Sequence, residues 1–567
     1  MRIIAFLLGV FFCAGLSGAP TERGPRRERA DFGVVFNTDA DTAFIVPDRA
    51  RSEALLSASI LSLAGTPVKT LAFCVGMGGD LLYYPTKVAS PVGWRQAPDE
   101  KPGSFMAMRM ENARVCLQQG SDAVRTAGEA AKRAGLRFIP SLRMNDSHFM
   151  VEPDSHSMTS EFWFKHRDKL TIRESPLPFQ KAYGNLLDFT HAEVRQLRLD
   201  TVFEVLDRNR DLVDGFELDF NRFQVFFPKG RAAEGAPLMT ELVRAVRTRL
   251  DQLALEQKRT LHLFVRVPPS LADCTFAGLE VARWIEEGLV DLVSPSQIMT
   301  LAGDMPIGDL VALGKQHGVL IYPSLYPRTS WRLPFPSAQG ASRYHGATVG
   351  RGATLEEIRA AAAGYYATGA DGMYLFNFGI VYGGTPDPAQ NVFTVSHAVG
   401  RREFLQGQAK VYGVTKSYYN DGPGSYAYAK QLPAPLKADS PLRLVLPLAE
   451  RPSQSPFSVL ACELRLGFRG LPAPEGLEVR AQGRGIFSGG DKGATWVSTA
   501  AVTGSRPRAG DAAEAYLHIP LARESAPEGE SIEIEVRLAP SSQRVTITDC
   551  ELRYDFENDY HRIWHRQ

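Results

Sequence analysis

The stretch Val213-Asp214-Gly215-Phe216-Glu217-Leu218-Asp219-Phe220-Asn221-Arg222 constrains this chain more than any other. It alternates two chemistries with a period of two, which is the pattern of a β-strand. Phe216, Leu218 and Phe220 share one face, and Glu217, Asp219 and Asn221 share the other. Two carboxylates and an amide on one face of a buried strand are costly unless they are paired or used. In a (β/α)8 barrel such a face points inward and climbs toward the catalytic mouth.

The rest of the chain supplies strands for that barrel. Short apolar runs at 33–39, 70–76, 137–145, 213–221, 261–267, 291–296, 319–325 and 373–378 alternate with helical periodicity. Leu199, Val202, Phe203 and Leu206 form one helical stripe; Val281, Ala282, Ile285 and Leu289 form another. The fold class expected is α/β: a (β/α)8 TIM barrel over residues 31–400. A doubly wound open sheet would carry a glycine-rich turn after its first strand, and Asn37-Thr38-Asp39-Ala40-Asp41 is not one. From about residue 441 the pattern changes to alternating strands divided by Gly, Pro and Asp turns, as in Ile532-Glu533-Ile534-Glu535-Val536. That predicts an all-β sandwich over 441–567, joined by a connector at 401–440.

The N-terminus reads as a targeting segment. Arg2 precedes an apolar run and then small residues through Ala19, the pattern of a signal peptide over 1–19. Residues 20–30 form a polar leader, and the chain is expected to act outside the cytoplasm, in the periplasm or beyond, with no membrane span once cleaved. A net charge of +1 favours neither nucleic acid nor a membrane patch. Of six cysteines, Cys13 falls in the signal peptide. The other five show no zinc spacing, and Cys462 and Cys550 can pair if their strands lie side by side. No cofactor is expected, and no ligand spacing supports a metal where Asp39, Asp219 and Asn221 meet. The sequence sets no oligomeric state.

Strand parity places candidate site residues at the mouth. These are Asn37 and Asp39 on the first strand, and Ser141, Arg143 and Asn145 on the third, with Asp146 and His148 beyond it. The fourth strand offers Glu217, Asp219 and Asn221, followed by Arg222. The fifth offers His262 and Arg266, the sixth Ser294 and Ser296, and the seventh Tyr322, Ser324 and Tyr326. The eighth offers Phe376 or Asn377. Glycosidic cleavage needs two carboxyl groups in different roles. Asp219, at the end of its strand, is the nucleophile or base; Glu217 is an orienting or second carboxylate, expected to be held ionised by Arg266 or Arg143. The candidate acids are Asp146, Asp304 and His148. Asp39, Arg143, Asn145, Asn221, Arg222 and Arg266 are candidate substrate-binding groups, and Trp163, Tyr322, Tyr326 and Trp331 offer ring faces to a sugar. Long stretches at 79–111 and 147–185 follow strands and belong to the mouth.

The entry Leu187-Asp188-Phe189-Thr190-His191-Ala192-Glu193-Val194-Arg195, followed by a helix and the Asp214-Gly215 strand, resembles the glycosyl-hydrolase-like 10 type of barrel. These are bacterial glycosidases related to the α-amylase and α-galactosidase superfamily. Ala192 stands where their pattern has Pro. The resemblance, over residues 31–400, implies glycoside hydrolysis with Asp219 as nucleophile; it assigns no role to Glu217. The strand is also similar to that of family 18 chitinases, whose final Glu is the acid. Asn221 occupies that position, and a neutral amide supplies no acidic proton. The readings are therefore a secreted glycoside hydrolase on an oligo- or polysaccharide, a carbohydrate-binding barrel that no longer cleaves, or a uronate-directed lyase using His148 or a Tyr as base.

Overall fold

The computed structural model describes residues 30–557, except 41, 78–79, 97–102, 147, 149, 178–179, 298–299, 330–342, 345–346, 349–351, 381–388, 390, 415–430, 439, 499–513 and 541–543. The predicted signal peptide at 1–19, most of the leader at 20–30, and Trp331 lie outside the described residues. No helix among the described residues is long and apolar enough to cross a membrane.

The first part of the chain is a parallel sheet with helices between its strands. The strands are β1 Val34–Thr38, β2 Val68–Cys74, β3 Arg137–Arg143, β4 Gly215–Asp219, β5 His262–Val267, β6 Leu292–Pro295, β7 Leu320–Ile321, β8 Ser324–Leu325 and β9 Tyr374–Phe376. Their order in the sheet is β7-β6-β5-β4-β3-β2-β1-β9-β8. Every predicted strand of the barrel region is present, and one of them, 319–325, is split. Its first half pairs Leu320 with Leu292 of β6, and its second half pairs Ser324 with Tyr374 of β9. Pro323 sits at the break. It lacks an N–H to donate, and its carbonyl accepts Tyr374 N at 3.1 Å. The two ends of the sheet are thus carried by one short run of chain, in a TIM-like arrangement.

The alternation of β4 is resolved by what each face meets. Phe216, Leu218 and Phe220 are buried on the outer face, where Phe220 packs on Trp284 with ring centroids 5.3 Å apart. Glu217 and Asp219 face inward. Val35, Ala72, Ile139, Phe264, Leu292, Leu320, Tyr322, Tyr374 and Phe376 form a separate apolar cluster inside the sheet. Charged side chains gather above it, at the C-terminal ends of the strands. β3 ends at Arg143 and β4 at Asp219, two residues short of the predicted ends. Asn145 and Asn221 therefore belong to turns.

The C-terminal part is two antiparallel sheets. One contains Lys410–Gly413, Ala434–Leu436, Val459–Arg469, Thr495–Ser498, Ala515–Leu521 and Val545–Phe556; the other contains Leu442–Pro447, Leu477–Ala481, Arg484–Ser488 and Ser531–Leu538. Alternate residues such as Leu464, Leu466, Ile534 and Val536 fill a shared core. The first sheet draws two strands from 401–440, the stretch expected to be a connector. Cys462 and Cys550 lie on neighbouring strands, yet Cys462 opposes Tyr554 while Cys550 opposes Leu466. Four residues of offset, about 13 Å along a strand, exceeds the reach of a disulfide. All five described cysteines are free and buried.

Gly215 shows how tightly β4 and β5 approach. A Cβ added there would lie 2.1 Å from the carbonyl oxygen of His262. Gly215→Ala is expected to lower unfolding free energy by about 1–3 kcal/mol, as overpacking does, measured by urea denaturation.

Candidate active site

The site is built on the upper end of β4. Asp219 is the last residue of the strand, and its register partners are Arg143 on β3 and Arg266 on β5. Arg266 is the one that binds it, with Nη2 donating to Oδ2 at 2.8 Å. Both side chains are only 1% exposed, so the pair is removed from water. Asp219 Oδ1 accepts the backbone N–H groups of Asn221 at 2.9 Å and Arg222 at 3.2 Å. Those two bonds fold the chain over the end of β4, and they explain why the strand stops there. Arg266 also donates to Ser296 Oγ at 3.0 Å and lies 3.8 Å over the ring of Phe376. Phe376 in turn stacks on Tyr326, centroids 5.9 Å apart.

Arg143 turns away from Asp219. It pairs with Asp39 and, at 3.1 Å, with Asp146. Asp39 also accepts Asn377 Nδ2 at 2.8 Å. Burial alone would raise the Asp39 pKa, but the guanidinium groups of Arg143 and Arg222 overcome it and hold the carboxyl below its ordinary range. Asp146 is likewise buried and is held low by His148, Arg143 and Arg222. Asp146 Oδ1 takes both the backbone N–H of His148, at 2.9 Å, and the ring Nδ1. Nε2 of His148 meets Arg222 Nη2 at 2.7 Å. Burial pushes the His148 pKa down, with the Arg222 charge acting the same way, against the pull of Asp146. A guanidinium only donates, so Nε2 accepts, and the imidazole is neutral with its proton on Nδ1.

Glu217 lies one inward position deeper. Its Oε1 accepts Ser141 Oγ at 2.6 Å and Tyr374 OH at 2.8 Å. Oε2 is buried without a hydrogen-bond partner. Burial, and then the charge of Asp219, push its pKa up to about 7. The expectation that an arginine holds Glu217 ionised is therefore corrected. Arg143 and Arg266 are engaged by aspartates above it, and Glu217 is left with two hydroxyl donors.

Several sequence-derived candidates sit elsewhere or are engaged structurally. The Asp146 pKa is held low by its neighbours, and both ring nitrogens of His148 are engaged, by Asp146 and by Arg222. Asp304 acts electrostatically on Tyr365 of the helix Leu355–Thr368, away from the β4 end. Asn145 Nδ2 donates to the carbonyls of Leu187 at 3.0 Å and Val225 at 2.8 Å, so it ties two loops together. Asn221 accepts Gln224 Nε2 within the turn. Trp163 is loop core: it is buried, its Nε1 donates to Asn185 O at 2.7 Å, and its ring packs edge-on against Phe164. Tyr322, expected at the mouth, lies at the opposite end of the interior beside Phe32 and Gly372. Of the aromatic candidates described, Tyr326 stands closest to the Arg266–Asp219 pair, through Phe376. Tyr374 was not singled out from the sequence. Its parity with Phe376 on 373–378 was the available signal. Among the described residues, no group of three or more His, Cys, Asp or Glu side chains is arranged to hold a metal ion.

No family model matches the chain, and no curated protein matches it. Solved structures match over much of its length. A Paenibacillus cycloisomaltooligosaccharide glucanotransferase is 8% identical, with 92% of this chain and 57% of that chain covered, at TM-score 0.34. The chitinase ChiW from Paenibacillus is 11% identical, with 92% and 56% covered, at TM-score 0.38. The maltogenic α-amylase AmyB from Thermotoga neapolitana is 10% identical, with 90% and 99% covered, at TM-score 0.35. This chain thus spans a little over half the length of the first two.

Two outcomes test the electrostatics. Arg266→Met is expected to lower stability by about 3–5 kcal/mol by stranding a buried charge; adding Asp219→Asn should restore most of it, in a denaturant-based double-mutant cycle. Glu217 has a folded pKa of about 7 against an ordinary 4.5. Between these values the folded state holds a proton that the unfolded chain releases. Stability from this group is complete below the unfolded value and is lost as pH rises through about 7. Wild type should lose on the order of 3 kcal/mol from pH 5 to pH 8 relative to Glu217→Gln, read from unfolding curves at both pH values.

Proposed function

We propose that this chain is a glycoside hydrolase-like (β/α)8 barrel, closed through the split strand 319–325, that cleaves a glycosidic bond in an oligo- or polysaccharide. The signal-peptide pattern at 1–19 supports a destination outside the cytoplasm. The observation that carries the reading is the contrast between two carboxyl groups on one face of β4. Asp219 is bound by a guanidinium and two backbone N–H groups, while Glu217 has a pKa pushed up to about 7. Glycosidic cleavage calls for one ionised carboxylate and one carboxylic acid. Asp219, at the strand's C-terminal end, is the nucleophile or base; Glu217, with its pKa pushed up to about 7, is the second carboxyl. Arg143, Arg222, Arg266 and Tyr326 are the substrate-binding candidates of that reading. The resemblance to the glycosyl-hydrolase-like 10 type supports the same role for Asp219.

One observation favours a second reading, a barrel that binds carbohydrate without cutting it. Asp39, Asp146 and Asp219 are each in contact with arginine, and the Asp219 side chain is 1% exposed. A polar layer of that kind can serve to hold the binding loops. Wild type and Asp219→Asn should be compared on a panel of acidic and neutral polysaccharides. The hydrolase reading expects activity that falls by about 10²–10⁴-fold in the variant. Equal activity in both proteins sinks the role of Asp219. Binding without cleavage in both supports the second reading, and unsaturated uronate products would identify a lyase.

A further inference from the structure

A cavity of about 550 Å³ lies beside the loop that follows β1, lined by Phe44, Ile45, Pro47, Ala107, Met108 and Arg109 among others. Its walls come from that loop and from the first turns of the helix Phe105–Gln118. The loop begins at the upper end of β1, so the cavity is on the same side of the sheet as the Asp39–Arg143 pair. Its volume falls within the range of small-ligand sites, about 300–1,000 Å³. Its walls are mainly apolar, and two of the residues, Ile45 and Met108, are large hydrophobics about half exposed. Arg109, Glu111 and Asn112 also line it, but each is turned to a protein partner: Arg109 to the Ala40 carbonyl, Glu111 to Arg114 and Asn112 to the Ile45 carbonyl.

The same loop reaches both the mouth and the cavity. Asp39 supplies a carboxylate at the mouth, and Phe44, five residues on, supplies a cavity wall. Tyr83 connects the two, donating its OH to the Asp39 carbonyl at 3.1 Å while its ring packs on Phe44 with centroids 6.0 Å apart. Arg109 donates to the Ala40 carbonyl at 3.0 Å from the helix side. Between them the backbone takes two left-handed residues that are not glycine, Ala40 at φ 59° and Phe44 at φ 56°. For a bulky aromatic that conformation is strained and persists only where the surroundings over-determine it. Phe44 is turned inward, 2% exposed, while Ile45 stays out. The loop is therefore shaped at the junction of a polar mouth and an apolar cavity.

We propose that this cavity is an accessory subsite for an apolar group, alkyl, acyl or aryl, carried by the carbohydrate that occupies the mouth. The inference rests on the carbohydrate reading of the mouth, and it extends that reading to an amphiphilic substrate. The polar part lies over Asp39 and Arg143, and the apolar part lies between Phe44, Ile45, Ala107 and Met108.

The probes are n-octyl β-glucopyranoside, below its micelle concentration, and methyl β-glucopyranoside, followed by saturation-transfer NMR on the full chain. Wild type should saturate the octyl protons. Ala107→Trp, which fills the cavity, and Met108→Asp, which places a charge at its exposed wall, should each reduce that signal at least fivefold. Both variants should keep the wild-type melting temperature, and the half-exposed position of Met108 guards against a folding failure. Methyl β-glucopyranoside, which lacks the alkyl group, should give the same signal with wild type and both cavity variants, so loss of sugar binding at the mouth and loss of the subsite are read separately. Octyl binding that is absent from wild type, or that persists equally in both cavity variants, overturns the proposal.

Discussion

The buried pair between Arg266 and Asp219 is the contact on which the polar end of this protein depends. With both side chains 1% exposed and 2.8 Å apart, neither charge has water to fall back on. From this pair, contacts run in two directions. The Arg266 side leads to Ser296 on one hand, and through the face of Phe376 to Tyr326 on the other, which joins β5 to the ends of β6, β8 and β9. The Asp219 side closes the turn after β4 and so delivers Arg222 to His148. From there the path continues through Asp146 and Arg143 to Asp39 and Asn377. The mouth is a ring of alternating charge in which each guanidinium is held by a carboxylate or an imidazole.

That ring sets the chemistry of the residue beneath it. Because Arg143 and Arg266 are held above, Glu217 faces only the hydroxyl groups of Ser141 and Tyr374. Burial and the nearby charge of Asp219 then favour its neutral form. Two carboxyl groups two residues apart on the same strand thereby meet different partners: a guanidinium and two backbone N–H groups for Asp219, two hydroxyls for Glu217.

Much of the architecture was legible in the chain. The strand positions followed from period-two runs, and the inward face of β4 followed from three polar residues opposite three apolar ones. The change to antiparallel sheets in the C-terminal part followed from its alternating pattern. The misplacements have specific physical causes. Parity was carried two residues too far on β3 and β4, and so set Asn145 and Asn221 on strands. Asp219 ends β4 by capturing backbone N–H groups, and Asn145 is held in a turn by two loop carbonyls. Tyr322 was carried to the mouth by the same counting, whereas the strand breaks at Pro323 and the tyrosine lies deep. Cys462 and Cys550 do lie on adjacent strands, but register, which composition does not encode, keeps them apart.

By itself, the sequence determined which residues face inward at the end of the fourth strand, because side-chain alternation is a local property of extended backbone. It determined that several arginines and aspartates would meet at one end, since parallel strands bring their C-terminal ends together. Only the tertiary structure decided the pairing. Arg143 and Arg266 flank Asp219 symmetrically in the register, yet one turns to Asp39 and Asp146 while the other takes Asp219. That choice depends on groups far away in the chain, and it leaves Glu217 without a guanidinium partner, so that burial pushes its pKa up to about 7.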